Sequence, residues 1–112
     1  MSRKKFRLPP FVPLRRDLMK DPVWRKLSSS AKIAYVYLRG KFHPQNTEIN
    51  EVSLTYSEMK DMMSSKTLSR AFKELQETGF IEKTKDGGMF GGACRYKFIG
   101  AFKDFYVRGY RV

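Results

Sequence analysis

The residues of this chain that could carry chemistry are cations rather than catalytic groups. There is one histidine, His43, and one cysteine, Cys94, and no acidic pair stands at a catalytic spacing. A lone histidine beside a proline is a poor metal ligand, and a single cysteine cannot form an intramolecular disulfide. Three cations, Lys66, Arg70 and Lys73, instead recur at helical spacing. We therefore expect no enzyme activity, no metal and no cofactor, but a surface that binds an anion.

The three cations lie on one face of a predicted helix over residues 65–78. Its apolar residues recur at i, i+3, i+4 and i+7, which is the spacing of a helix that buries one side. These residues are Leu68, Ala71, Phe72 and Leu75. The opposite face carries the cations and Glu77, with Ser69 on its flank. The cations lie toward the N-terminal end, where free N–H groups also favour phosphate, so this face either binds an anion or is ordinarily solvated.

A shorter helix is predicted immediately before this one. Thr55 and Glu58 have the spacing of a capping box, which begins a helix. Ser64 and Ser65 end it and cap the next helix, so the joint has the short length that is typical of a helix-turn-helix. The predicted apolar face of the short helix consists of Tyr56, Met59, Met62 and Met63.

Two predicted strands joined by a glycine-rich loop follow the longer helix. Residues 80–86 alternate partly between apolar and polar, and residues 93–99 alternate well. Three residues of the second strand are predicted to face the core: Cys94, Tyr96 and Phe98. The loop, 87–92, joins strand to strand and is therefore not a phosphate-cradling motif. Its bulky side chains, Met89 and Phe90, would contact a partner or insert against sugar and base.

The N-terminal half supplies a long helix and its supports. Asp21 before a proline indicates the N-cap of a short helix containing Trp24, which we expect in the core. Ser28 is a natural N-cap for the long helix, and Gly40 marks its end. The core stripe of that helix is Ala31, Ala34, Tyr35 and Leu38. Three more apolar residues predict burial on a second face, by the N-terminal segment or by a second copy: Ile33, Val36 and Tyr37.

The chain is strongly basic, and its charge is unevenly distributed. Its 112 residues include 23 Lys and Arg against 11 Asp and Glu, a net charge of +12. A small domain this basic usually meets a polyanion. Residues 1–26 carry nine basic and two acidic residues, whereas residues 55–79 carry four of each. The predicted helix-turn-helix is therefore neutral, and the excess charge flanks it.

The two ends of the chain allow more than one interpretation. Residues 1–10 are either a solubilising tail or a basic arm that contacts phosphates or a minor groove. The aromatic tail, 101–112, would pack on the core, stack on nucleic acid or form a dimer contact; its first aromatic residues are Phe102, Phe105 and Tyr106. No apolar run is long enough to span a membrane, and no signal core follows the N-terminal cations. We therefore expect a cytoplasmic, nucleoid-associated protein.

The order of these elements resembles the winged helix-turn-helix family of bacterial, plasmid and phage proteins, over roughly residues 22–99. The phrase Leu-Ser-x-x-Ala at 27–31 is similar to the start of the first helix in that family. The pattern Ser-x-x-Thr-x-x-Arg-Ala from Ser64, continuing to Gly-Phe-Ile at 79–81, resembles the recognition helix and the first wing strand. One position departs from the family pattern, because Met62 stands before the turn where many relatives have glycine.

The resemblance implies an α+β fold with a three-helix core and a small antiparallel β-hairpin wing. The domain would cover residues 11–100, between a flexible basic arm (1–10) and a C-terminal tail (101–112). The recognition-helix residues that would face DNA are Ser64, Ser65, Lys66, Thr67, Ser69, Arg70 and Lys73. Those of the wing are Lys83, Lys85, Gly88, Arg95 and Lys97. The arm would add Arg3, Lys4, Lys5 and Arg7.

The expected partner is double-stranded DNA, without a small-molecule ligand or a membrane. The expected role is transcription regulation or replication initiation, and the family resemblance does not choose between them. A homodimer stays open. Two functions of other classes are a protein-interaction module and a binder of single-stranded nucleic acid or RNA through aromatic stacking.

Overall fold

A computed structural model of the chain describes residues 11–42, 51–87 and 94–104. These residues form an α+β fold, as the sequence predicted. The helices are α1 (Arg16–Lys20), α2 (Pro22–Lys26), α3 (Ser29–Lys41), α4 (Tyr56–Met59) and α5 (Ser65–Glu77). The strands are β1 (Glu51–Val52), β2 (Ile81–Lys85) and β3 (Arg95–Phe98). Within this described part, no helix is both long and apolar enough to cross a membrane.

The three strands form one antiparallel sheet in the order β1-β3-β2. Strands β2 and β3 pair from Ile81 opposite Phe98, and an irregularity in register falls between Lys83 and Lys85. The two residues of β1 pair with the other edge of β3, with Val52 opposite Tyr96. The run Val52-Ser53-Leu54 predicts a short strand from the sequence; the observed strand begins one residue earlier and is one residue shorter.

The core lies between α3, α5 and the sheet. The predicted apolar stripes of both helices are buried: Ala31, Ala34, Tyr35 and Leu38 on α3, and Leu68, Ala71, Phe72 and Leu75 on α5. Trp24 meets the rings of Tyr35 and Phe80 edge to face, at centroid distances of 5.1 and 5.9 Å. Such pairs add about 0.5–1.5 kcal/mol beyond the area they bury. The prediction that Trp24 is a core residue is confirmed.

All four predicted helix starts have their cap in place. The side chains of Asp21, Ser28 and Ser64 each accept a hydrogen bond from an amide of the first turn that follows them. Thr55 and Glu58 form both halves of the predicted capping box. Each cap is typically worth about 1 kcal/mol because it satisfies an otherwise unpaired N–H group. The helix boundaries are therefore fixed by local chemistry that the sequence displays.

Helix α3 continues one residue past Gly40, to Lys41, and Phe42 then adopts an extended conformation. One prediction about apolar residues was wrong. Tyr56 and Met62 do not share a buried face with Met59, because α4 is one turn long and the chain turns at residue 60. On α3, Ile33 and Tyr37 are 37% and 44% exposed within the described chain, which includes neither residues 1–10 nor a second copy, so the burial of this face stays a prediction. Three other apolar residues are also exposed to solvent: Val23, Met19 and Phe11.

Candidate nucleic-acid interface

The joint between α4 and α5 is a tight turn of five residues, 60–64. The amides of Met62 and Met63 both donate to the carbonyl of Met59, at 2.9 and 3.0 Å. No residue other than glycine has a positive φ in the described chain, so Met62 adopts an ordinary backbone conformation. The joint therefore closes without the glycine that many winged-helix proteins have at this position, and Met62 leaves its side chain 47% exposed.

The outer face of α5 is exposed over its whole length. Lys66, Ser69, Arg70 and Lys73 are all exposed, opposite the buried stripe of the same helix. In the described part of the chain, none of the three cations has an acidic partner in an ion pair. An exposed cation without an internal partner keeps its charge available for an external anion. The structure therefore brings these four predicted site residues together on one surface.

The hydroxyl residues at the start of α5 divide into two kinds. Ser64 Oγ accepts from the amide of Thr67 at 3.1 Å and donates to Thr67 Oγ1 at 3.0 Å. Because of these bonds, both hydroxyls take part in starting the helix. Thr67 is in addition half-buried. Ser65 is exposed and makes no such bond among the described residues. Of these three hydroxyl residues at the start of α5, Ser65 is the one whose side chain is free to meet a phosphate.

The predicted wing cations also divide into two kinds. Lys83 Nζ lies 3.2 Å from Asp86 Oδ1, and its pKa is raised by that hydrogen bond. Lys97 Nζ lies 3.3 Å from Glu82 Oε1, because the sheet register places these residues opposite each other. The other two cations of the strands, Lys85 and Arg95, are exposed and have no ion pair within residues 11–42, 51–87 and 94–104.

Exposed ion pairs are worth roughly 0–1 kcal/mol, so an incoming phosphate can compete for Lys83 and Lys97. Their carboxylate partners nevertheless lower the net positive charge of the β2–β3 hairpin. We therefore rank Lys85 and Arg95 above Lys83 and Lys97 as anion contacts.

Several predicted residues lie outside the part of the chain that the structure describes. They are the arm cations Arg3, Lys4, Lys5 and Arg7, the wing residues Gly88, Met89 and Phe90, the histidine His43, and the tail aromatics Phe105 and Tyr106. Phe102 is described, and its ring stacks on Phe80 at a centroid distance of 6.4 Å. Cys94, predicted in the core, is half-buried and packs against it.

One residue of α5 has a role that the sequence did not reveal. The Glu74 carboxylate accepts from the Ser28 amide at 2.9 Å and from Ser28 Oγ at 2.7 Å. These bonds tie the C-terminal half of α5 to the start of α3. The sequence shows a glutamate beside the apolar stripe of α5 and an N-cap serine before α3. Because the two residues are 46 positions apart, the sequence alone does not show that they pair.

Two arginines, Arg15 and Arg39, bind other parts of the chain instead of facing solvent. The amino-acid composition cannot distinguish such arginines from ones that bind a partner. Arg39 is 4% exposed, stands 3.9 Å over the Phe98 ring, and donates to the carbonyls of Phe102 and Lys103. Burial lowers its pKa from the ordinary arginine value. Arg15 donates to the Ala101 carbonyl at 3.3 Å and stacks on Phe102. These two cations hold the turn at 101–104 and are therefore not available for an external partner.

No group of three or more His, Cys, Asp or Glu residues that could hold a metal ion occurs in the described segments. A cavity of about 10 Å³ lies under the 101–104 turn, lined in part by Leu14, Tyr35 and Arg39. That volume is close to the room needed for a single water molecule.

Comparisons of this chain with protein-family models, with curated proteins and with solved structures found no match.

Proposed function

We propose that this protein is a winged helix-turn-helix protein that binds double-stranded DNA in a sequence-specific way. In this proposal α3, α4 and α5 are the three-helix core, and the hairpin of β2 and β3 is the wing. The element order α3, β1, α4, α5, β2, β3 supports this arrangement, as does the pairing of β1 with the hairpin.

The observation that carries the proposal is the outer face of α5. It presents Lys66, Arg70 and Lys73 without ion-pair partners among the described residues, on a helix whose other side is fully packed. The tight turn from α4 and the Ser64 cap hold the N-terminal end of this helix in place. A rigid helix that displays cations is what the major groove admits.

In the proposed complex α5 enters the major groove. Arg70 and Lys66 are assigned to base edges, because a guanidinium can engage the O6 and N7 atoms of guanine in two hydrogen bonds. Lys73 and Ser65 are assigned to phosphates. Ser64 and Thr67 keep the helix start in shape, so their contribution to binding is indirect.

Most of the electrostatic attraction is assigned to the segments that flank the helix-turn-helix. Residues 55–79 contain four basic and four acidic residues and carry no net charge. The arm, with Arg3, Lys4, Lys5 and Arg7, and the wing cations Lys85 and Arg95 would then supply the affinity that all sequences share. Deletion of residues 1–7 should weaken binding to every duplex and flatten its salt dependence. An unchanged salt slope after that deletion would contradict this division of labour.

The role that we propose is regulation of transcription, of the bacterial, plasmid or phage type. The alternative within the same class is the DNA-binding domain of a replication initiator. A target site that is palindromic would also indicate a homodimer, because two-fold symmetric proteins read two-fold symmetric sites.

The test is selection of bound duplexes from a random pool, followed by affinity measurements on the selected and a scrambled site. Arg70→Ala should reduce discrimination between them by roughly 1–3 kcal/mol. Arg16→Ala is the matched control, because Arg16 is also an exposed arginine without an ion pair in the described chain but lies on α1. Equal discrimination by wild type and Arg70→Ala would refute the assignment of α5 as the reading element.

Two other outcomes would favour functions of different classes. Weak retention on duplex DNA that does not respond to salt would favour a protein-interaction module. Tighter binding of single strands in a direct competition would favour stacking of bases on aromatic side chains.

A further inference from the structure

A second group of cations lies on α2 and the first turn of α3. Arg25 and Lys26 are both exposed at the end of α2. Lys32 of α3 donates from Nζ to the Arg25 carbonyl at 3.2 Å, which brings its ammonium group to the same place. Residues 22–32 contain no Asp or Glu, and none of the three cations has an ion pair within the described residues. We call these three residues the α2 cluster.

The α2 cluster lies at the C-terminal half of α5. Ser28, two residues after Lys26, is hydrogen-bonded to Glu74 of α5 through both its amide and its hydroxyl. Trp24 of α2 packs on Phe80, whose amide donates to the carbonyl of Leu75 near the end of α5. The cluster is therefore at the end of α5 opposite to Lys66.

Helix α5 is longer than the major groove is wide. The helix has 13 residues and is about 20 Å long, whereas the major groove of B-DNA is about 12 Å wide. A helix whose N-terminal half contacts bases in the groove therefore has its other end near the sugar–phosphate backbone that borders the groove.

We infer that the α2 cluster is a second phosphate-binding surface, which contacts the backbone of the same duplex that α5 enters. The inference rests on the proposed function, since it assigns a further part of the same DNA interface. Charge supports it: Arg25, Lys26 and Lys32 bring three positive charges to this end of α5. Two acidic residues of α5 itself lie at this end: Glu74, whose carboxylate is held by Ser28, and the exposed Glu77.

The test compares two double variants that remove the same charge. Arg25→Ala with Lys26→Ala removes two members of the α2 cluster, and Arg16→Ala with Lys20→Ala removes two exposed cations of α1. Affinity for one selected duplex is measured between 50 and 200 mM salt. Loss of two phosphate contacts should lower the slope of log K against log salt by about 2. The α1 double variant should keep the wild-type slope, and both should keep the wild-type sequence preference.

A second pair of variants separates charge from folding. Arg25→Lys with Lys26→Arg keeps both charges and should keep the slope, whereas Arg25→Gln with Lys26→Gln removes them with good helix formers and should lower it. Circular dichroism establishes that each variant is folded. A wild-type slope in the folded Ala or Gln double variant, or an equal loss in the α1 double variant, overturns the inference while the proposed function stands. Failure of the wild-type chain to bind duplex DNA overturns both.

Discussion

The carboxylate of Glu74 accepts hydrogen bonds from both the backbone amide and the hydroxyl of Ser28, at 2.9 and 2.7 Å. Ser28 is at the same time the N-cap of α3, because its Oγ accepts from the Ala31 amide at 3.1 Å. An anion at the N-terminal end of a helix is also favoured by the helix dipole. The pair therefore fixes the position of α5 relative to α3. It also links α5, the proposed reading helix, to the segment that carries the α2 cluster.

We expect Glu74→Ala to lower the free energy of unfolding by about 1–2 kcal/mol, because it removes two hydrogen bonds from Ser28 to a charged acceptor. Glu77→Ala is the matched control: Glu77 is one turn farther along α5, is exposed and makes no ion pair among the described residues. It changes the net charge equally and should shift stability by no more than about 0.5 kcal/mol. Urea unfolding measures both, and equal costs would mean that the bonds to Ser28 add no stability.

Arg39 should prove to be a structural cation. Its guanidinium donates to Tyr35 Oη and to the carbonyls of Phe102 and Lys103. Arg39→Met leaves the buried Tyr35 hydroxyl and two half-buried carbonyls without this donor, and we expect a loss of about 2–4 kcal/mol in the free energy of unfolding. Arg16→Met removes an exposed arginine and should be nearly neutral. Thermal unfolding followed by circular dichroism compares the two, and a small effect at Arg39 would show that the 101–104 turn does not need this anchor.

The stability of the chain should depend on pH through Glu58. Its carboxylate accepts from Lys41 Nζ and from the Thr55 amide, which lower its pKa from an ordinary 4.5 to about 2. Because the folded pKa is below the unfolded one, the contribution is fully present above about pH 4.5 and is lost as the pH falls toward 2.

The difference in unfolding free energy between wild type and Glu58→Gln should therefore shrink between pH 6 and pH 2.5. The effect is small because the Lys41 and Glu58 side chains are 42% and 38% exposed and solvent screens them. Glu77→Gln serves as the control. A difference that stays constant over this range would show that the Glu58 contribution does not depend on its charge.

Local features of this fold could be predicted from the sequence, whereas the pairing of distant side chains could not. The caps at Asp21, Ser28 and Ser64 were readable because each acts on residues two or three positions away. The role of Arg39 was not, because a buried and an exposed arginine look alike until the chain folds back on itself.

The same limit affected the wing. Lys97 was predicted as a DNA contact, and only the register that sets it opposite Glu82 shows that its charge is partly neutralised. The outer face of α5 was predictable in full, since helical periodicity determines it once the buried stripe is known.

Two glycines with a positive φ, Gly79 at 85° and Gly100 at 84°, provide a matched comparison of backbone strain. Gly79 ends α5, and a Cβ there would meet no atom within 4 Å. A Cβ at Gly100 would lie 2.8 Å from the carbonyl oxygen of Gly79, which is backbone and cannot rotate away. The two positions thus share the conformational cost of a left-handed residue and differ in the steric cost.

Gly79→Ala should lower the free energy of unfolding by about 1–2 kcal/mol, the cost of a left-handed conformation for a residue with a Cβ. Gly100→Ala adds the clash with the Gly79 carbonyl and should cost at least twice as much. Urea unfolding of the two variants under one condition measures the difference. Equal costs would mean that the chain after β3 moves away from Gly79 without penalty, and the close approach of these two segments would then contribute nothing to the stability of the fold.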